Sequence, residues 1–165
     1  MNDAFHEPVL VKEVLELLNP RPGQMIVDMN LGHGGHTLQI LSRMGEEGLL
    51  VGIDRDPWML ATARKRLEDA DVPRSCYRLV QADFLQLPNV LAEVPAPALA
   101  PAEVPAPDAV LFDLGPSTPQ LLDPARGMSW ESDEALDMRL DPSGPEPSAA
   151  EIVNSWSEDE LVRIF

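Results

Sequence analysis

Apolar positions along the chain alternate between two kinds of run. From Pro8 to Leu18, residues Leu10, Val11, Val14, Leu15 and Leu18 recur at spacings of three and four, which predicts a helix opened by the proline. Pro20, Pro22 and Gly23 break it. Met25-Ile26-Val27 is a short apolar run closed by Asp28, and a glycine-rich turn follows at once. Helical spacing returns from Gly35 to Met44, with Leu38, Leu41 and Met44 on one side. Leu49 to Ile53 is a second strand-like run, closed by Asp54. Asp56-Pro57 then reads as an N-cap and a first-turn proline, starting a helix that carries Leu60, Ala63, Arg64 and Leu67. Cys76 to Val80 and Ala109 to Phe112 complete four strand candidates, the last closed by Asp113.

Apolar strand runs separated by helices predict an α/β fold, with a mostly parallel sheet covered on both faces. Ligands of such sheets bind beyond the carboxyl ends of the strands, where Asp28, Asp54 and Asp113 are expected to stand. Residues 88–107 hold six prolines in twenty positions and the hexapeptide AEVPAP twice, at 92–97 and 102–107. That composition predicts an extended, polyproline-like surface insertion. The first domain is therefore expected over 1–115. From 116 onward the chain is rich in proline, and two capping boxes, Ser148 with Glu151 and Ser157 with Glu160, predict short helices over 149–154 and from 158. The chain ends at Phe165 within a helix-like segment. A catalytically inactive, cofactor-binding remnant is thus an alternative to a working enzyme.

Composition adds constraints. At 165 residues, with 44% hydrophobic and 24% charged positions, the chain has the profile of a globular domain. It has no long apolar run and no signal-like N-terminus, so a cytoplasmic protein is expected. Cys76 is the sole cysteine, which excludes an internal disulfide and a CxxC pair. A net charge of −16 repels polyphosphates on average and counts against nucleic acid as a partner of this chain alone.

The candidate chemistry begins at Gly32-His33-Gly34-Gly35-His36. Glycines between a strand and a helix permit a tight turn and close approach to a ligand, and the first helical amides favour a carboxylate or phosphate. Asp54, at the end of the second strand, is placed to accept ribose hydroxyls, because Asp56 is the better helix cap. A dinucleotide and S-adenosyl-L-methionine both suit this arrangement. Gly-x-Gly-Gly in place of the full dinucleotide fingerprint tilts the reading towards the methyl donor without deciding it.

The segments HEPVL (6–10), VDMNLGHGGHT (27–37), GEEGLLVGIDRDP (45–57), LFDLGPSTPQLLDPARGMSW (111–130) and ALDMRLDP (135–142) resemble the RsmH family, also called MraW. The resemblance spans the chain apart from the Pro/Ala insertion. It implies a Rossmann-like class I methyltransferase sheet, the start of a helical substrate-recognition insert over 116–165, and S-adenosyl-L-methionine as cofactor with no metal. It implies methylation of a cytosine N4 in the decoding centre of 16S rRNA. The partner is then the small ribosomal subunit, with no DNA and no membrane, and a homodimer stays open. By resemblance Gly34, Gly35 and His36 contact the amino-acid end of the cofactor, Asp54 the ribose and Phe84 the adenine. Asp113 and Gln120 line the cofactor and target-base pocket, and His6 matches the family's N-terminal histidine; Asp113, as the carboxylate closing the fourth strand just before a Gly-Pro-Ser loop, is the candidate catalytic group. Met29, Asn30, Pro116 and Thr118 depart from the family pattern. Family members are about twice as long, and their remaining half is expected to bring much of the basic charge.

Overall fold

The computed structural model describes residues 8–94, 106–131 and 133–164. His6 and most of the Pro/Ala insertion lie outside the described residues. Contacts divide the chain into two compact units, Met1–Leu114 and Gly115–Phe165.

In the first unit the elements run α1 (Val11–Leu18), β1 (Met25–Asp28), α2 (Gly35–Met44), β2 (Leu49–Asp54), α3 (Pro57–Asp69), β3 (Tyr77–Gln81), α4 (Leu87–Ala92) and β4 (Ala109–Leu111). The four strands form one parallel sheet in the order β3-β2-β1-β4. In register, Ile26 pairs with Leu50 and Val27 with Val51. Successive strand residues point to opposite faces, so each face collects its own core. Ile26 and Leu50 pack with Leu15 of α1, Ile40, Leu41 and Met44 of α2 and Leu67 of α3. Val27, Val51 and Ile53 pack with Val90 and Leu91 of α4 and with Val94. Because the chain steps from β1 out to β3 and returns to β4 on the other side of β1, the order reverses between β1 and β4. That reversal opens a crevice at the carboxyl ends of the strands.

Several boundaries differ from the expectations. The first helix begins at Val11, not at Pro8, because Leu10 adopts φ +56° and caps the helix with its backbone carbonyl, 2.9 Å from the Val14 amide. Leu10 is exposed and does not join the apolar face. The third strand starts at Tyr77, since Pro73 leads residues 74–76 into a short 3-10 turn closed by the Cys76 amide on the Pro73 carbonyl. The fourth strand stops at Leu111, leaving Phe112 exposed.

The largest correction concerns the Pro/Ala insertion. Its first residues are not an extended excursion: residues 87–92 form α4, and Val90, Leu91 and Val94 are buried in the core. A capped 3-10 turn over Phe84–Gln86 leads into it, with the Leu85 amide donating to Asp83 Oδ1 at 2.8 Å and the Asp83 amide to Gln86 Oε1 at 3.0 Å. Apolar burial outweighs the proline-rich composition, and Pro88 is tolerated because it lies in the first turn of α4.

In the second unit α5 (Thr118–Leu122), α6 (Ala149–Ser155) and α7 (Glu158–Ile164) are short. Both expected capping boxes form: the Ser148 and Ser157 amides donate to Glu151 and Glu160 carboxylates at 2.7 and 2.8 Å. The unit is organised around Asp137 and Arg139. The guanidinium donates to Asp137 at 2.7 and 2.8 Å and also reaches the Glu146 carbonyl. That pairing holds Asp137 below the ordinary carboxylate range. Gly127, at φ +60°, lies where a Cβ would overlap the Ala135 carbonyl, so only glycine fits there.

If α4 is core, Leu91→Ala will cost about 2–4 kcal/mol in urea unfolding. A change within about 0.5 kcal/mol, the usual range for a surface residue, would return this segment to the surface.

Candidate functional site at the carboxyl ends of the strands

The loop from Met29 to Gly34 is stitched to both neighbouring strands. The Met29 amide donates to the Leu111 carbonyl at the end of β4, and the Leu31 amide to the Ile53 carbonyl of β2, each at 3.0 Å. The Gly32 amide donates to Asp54 Oδ2 at 2.8 Å, while the Asp56 amide donates to Oδ1 at 2.9 Å. Asp54, which the sequence offered for a ligand's ribose, thus also anchors the loop. Each carboxylate oxygen has two lone pairs, so Asp54 retains acceptor capacity for a ligand. Burial raises its pKa, opposed by those same amides. Asp56 caps α3 through the Trp58 amide at 2.9 Å, as expected.

The three glycines serve different ends. Gly32, at φ +52°, has only one atom, 3.9 Å away, near the position a Cβ would take, so its Cα faces open space. Gly34, at φ +71°, sits on α3, with the Ala63 Cβ 3.1 Å from where its own would be. Gly35 packs on Pro8 at 3.0 Å. Gly34 and Gly35 thus allow close packing within the protein, and of the three only Gly32 keeps an open side.

His36, in the first turn of α2, is buried, and its Nε2 stands 3.6 Å from Asp113 Oδ2. Burial lowers the imidazole pKa and the neighbouring carboxylate opposes this. Its Nδ1 has no hydrogen-bond partner among the described residues. Asp113 itself is open to solvent, with 62% of its side chain exposed. Phe84 is not a core aromatic: at 38% exposure it meets Phe112 edge to face, with ring centroids 6.4 Å apart. The connection after β3 thus carries an aromatic surface to the end of β4. Gln120 belongs to the second unit, where its Oε1 accepts the Ser117 amide at 2.8 Å and closes the cap of α5. The first unit therefore brings together the glycine loop, His36, Asp54 and Asp113.

At this centre the sequence reading named Asp28 only as a strand end and did not single out its partner Thr37. Asp28 is 1% exposed, and its Oδ2 accepts the Thr37 hydroxyl at 2.7 Å. Burial lifts its pKa to about 6, assisted by the nearby Asp113 and Asp54 charges. Met29, one of the departures from the family pattern, fills the core beside Val27 and Val51. Asn30 Oδ1 is buried without a hydrogen-bond partner among the described residues. No group of three potential metal ligands occurs among the described residues.

The parallel sheet, the strand-end crevice and the glycine loop tied to a carboxylate on the next strand define a domain of the Rossmann-like, nucleoside-binding class. The model of the MraW methylase family matches residues 3–165, and the chain belongs to that family. Ribosomal RNA small subunit methyltransferase H of Halothermothrix orenii is 38% identical over 160 residues, covering 97% of this chain and 47% of that protein. The corresponding protein of Trichlorobacter lovleyi is 42% identical over 165 residues, covering 100% and 49%. The chain spans about half the length of the curated relatives it matches. Among solved structures, an RNA methyltransferase from Salinibacter ruber in complex with S-adenosyl-L-homocysteine is 26% identical, covering 48% of this chain and 50% of that one at a TM-score of 0.43. TrmN from Thermus thermophilus is 30% identical, covering 50% and 24% at 0.45. These likenesses are partial, and the family match carries the assignment.

Asp28 loses its proton near pH 6 in the folded chain and near 3.8 when unfolded. Between those values the folded state binds more protons, so this group's contribution to stability falls as pH rises from about 4 to 6. Above that window the penalty amounts to roughly 3 kcal/mol at most. Asp28→Asn, whose amide oxygen can still accept from Thr37, will therefore be more stable than wild type at pH 7. The gain will vanish towards pH 4. Urea unfolding at the two pH values checks this, and an equal gain at both would refute it.

Proposed function

We propose that the chain binds S-adenosyl-L-methionine and forms the donor-binding part of a 16S rRNA methyltransferase that modifies N4 of a cytosine in the decoding centre. The observation that carries this reading is the convergence of the glycine loop, Asp54 and Asp113 at the ends of three adjacent strands. The residues suit the donor. Asp54 has acceptor capacity for ribose hydroxyls, and Phe84 offers an exposed ring for a purine. The loop at Gly34, Gly35 and His36 would receive the amino-acid end, next to a buried imidazole nitrogen that lacks a partner among the described residues.

When bound, the donor supplies a methyl group already activated by its sulfonium. The protein's task is alignment, which can account for much of the acceleration in such transfers. Asp113, solvent-open and beside His36, is assigned to accept a hydrogen bond from the target amine and take up its proton. An exocyclic amine is reached only on an unstacked base, which fits a single-stranded or loop target. A cytoplasmic location follows from that substrate. No helix of the described residues is long and apolar enough to cross a membrane.

A second reading, in which the chain holds the donor without chemistry, is favoured by its net charge of −16, which opposes a polyphosphate substrate. Two measurements separate the readings. Calorimetry is expected to show binding of S-adenosyl-L-methionine, weakened about ten- to a hundredfold by Asp54→Ala. Mass spectrometry of nucleosides from small subunits incubated with chain and donor is expected to show N4-methylcytidine, lost with Asp113→Ala. Binding without methylation selects the second reading, and no binding removes both.

A further inference from the structure

Trp58 and His33 stand outside every role assigned above, yet their rings meet at the rim of the crevice. Trp58 lies in the first turn of α3, two residues after Asp56, and His33 sits between Gly32 and Gly34 of the glycine loop. The ring centroids are 5.9 Å apart at 83°, an edge-to-face contact. Such a contact uses at most one face of one ring, and Trp58 remains 49% exposed. The imidazole braces the indole without covering it. Helical spacing places Thr62 and Lys65 on the same stripe of α3 as Trp58, four and seven residues further on. The stripe between indole and ammonium is low, since the Thr62 hydroxyl turns back onto the Trp58 carbonyl at 2.9 Å. The Lys65 side chain is 70% exposed, and its ion pair with Asp69 lies at the surface, where such pairs are weak. Residues 57–67 hold Arg64, Lys65 and Arg66 and no acid, in a chain with 12 basic and 28 acidic residues. Here the local charge runs against that of the whole molecule.

We propose that this stripe binds RNA beside the target: an unpaired base flanking the cytosine stacks on Trp58, braced by His33, and a backbone phosphate meets Lys65. This rests on the RNA-methylating reading given above. An aromatic face with a cation along the same track holds a single strand without reading its sequence. The other occupants fit less well. A second copy of the chain brings a net charge of −16 and presents the same cations to themselves, and a basic peptide would meet Arg64, Lys65 and Arg66. The ends of β2 and β4 lie two strand spacings apart, roughly 10 Å, so a nucleotide next to one held at Asp113 reaches the β2 side of the crevice. The acidic balance elsewhere then confines the strand to this track.

Fluorescence anisotropy of a short labelled single-stranded RNA, with S-adenosyl-L-methionine present, supplies the test. Trp58→Ala should bind the RNA about tenfold more weakly than wild type, and Trp58→Phe within about threefold of it. Lys65→Ala should reduce the slope of log affinity against log salt by about 0.7, the share of one phosphate on a single strand. Calorimetry should show unchanged donor affinity in all three variants, which damage to the fold would not leave intact. Replacing Trp130 and Trp156 by phenylalanine leaves Trp58 as the sole tryptophan of the three, and its emission should be quenched when RNA is added. If Trp58→Ala binds RNA as tightly as wild type, or loses the donor instead, the inference fails and the donor reading stands. If wild type binds no RNA, the inference also fails, and it takes the RNA reading with it only where small subunits gain no N4-methylcytidine.

Discussion

The hydrogen bond from the Gly32 amide to the Asp54 carboxylate ties the tip of one strand's loop to the end of its neighbour. A loop that must turn from β1 into α2 within six residues leaves amides that need acceptors, and a buried amide without one is costly. The chain meets this need from adjoining strands: Leu111 and Ile53 supply carbonyls and Asp54 a side chain. The sheet order is therefore a condition for the loop's shape. With β2 and β4 flanking β1, two strand ends supply the acceptors, and together with the end of β1 they bring Asp28, Asp54 and Asp113 to one place.

Charge and packing divide the work at this site. Packing fixes the start of α2, through Gly34 on Ala63 and Gly35 on Pro8. Charge is concentrated at the strand ends, where acidic groups accumulate beyond what the fold needs. The acidic balance that opposes a polyphosphate partner at the level of the whole chain suits a small cationic ligand at the level of this crevice.

Much of the first unit was legible in the sequence because its signals were local. Apolar runs closed by aspartates marked β1 and β2, and Asp56-Pro57 marked the start of α3, since a cap and a fixed φ act over a few residues. Leu10 was misassigned because its apolar character matched the helical spacing while its backbone took a left-handed conformation. The helix α4 was hidden by its neighbours: Val90, Leu91 and Val94 adjoin a proline-rich repeat whose composition dominated the reading. At the site, the glycine loop and Asp54 were visible as motifs. The inward packing of Gly34 and Gly35 was not, because it depends on Pro8 and Ala63, distant in sequence. Asp28 was noticed as a strand end, but its bond to Thr37 required knowing how α2 leaves the loop.

Gly32 and Leu31 donate their amides to Asp54 and to the backbone of β2, so this loop has no opening motion of its own that spares the sheet. Hydrogen exchange at these two amides would then report a shared event, with protection approaching that of the β2 core instead of the rapid exchange usual for a glycine-rich turn. In kinetic terms the loop counts as a fifth strand's worth of the cooperative unit, and a ligand arriving there meets a surface already in place.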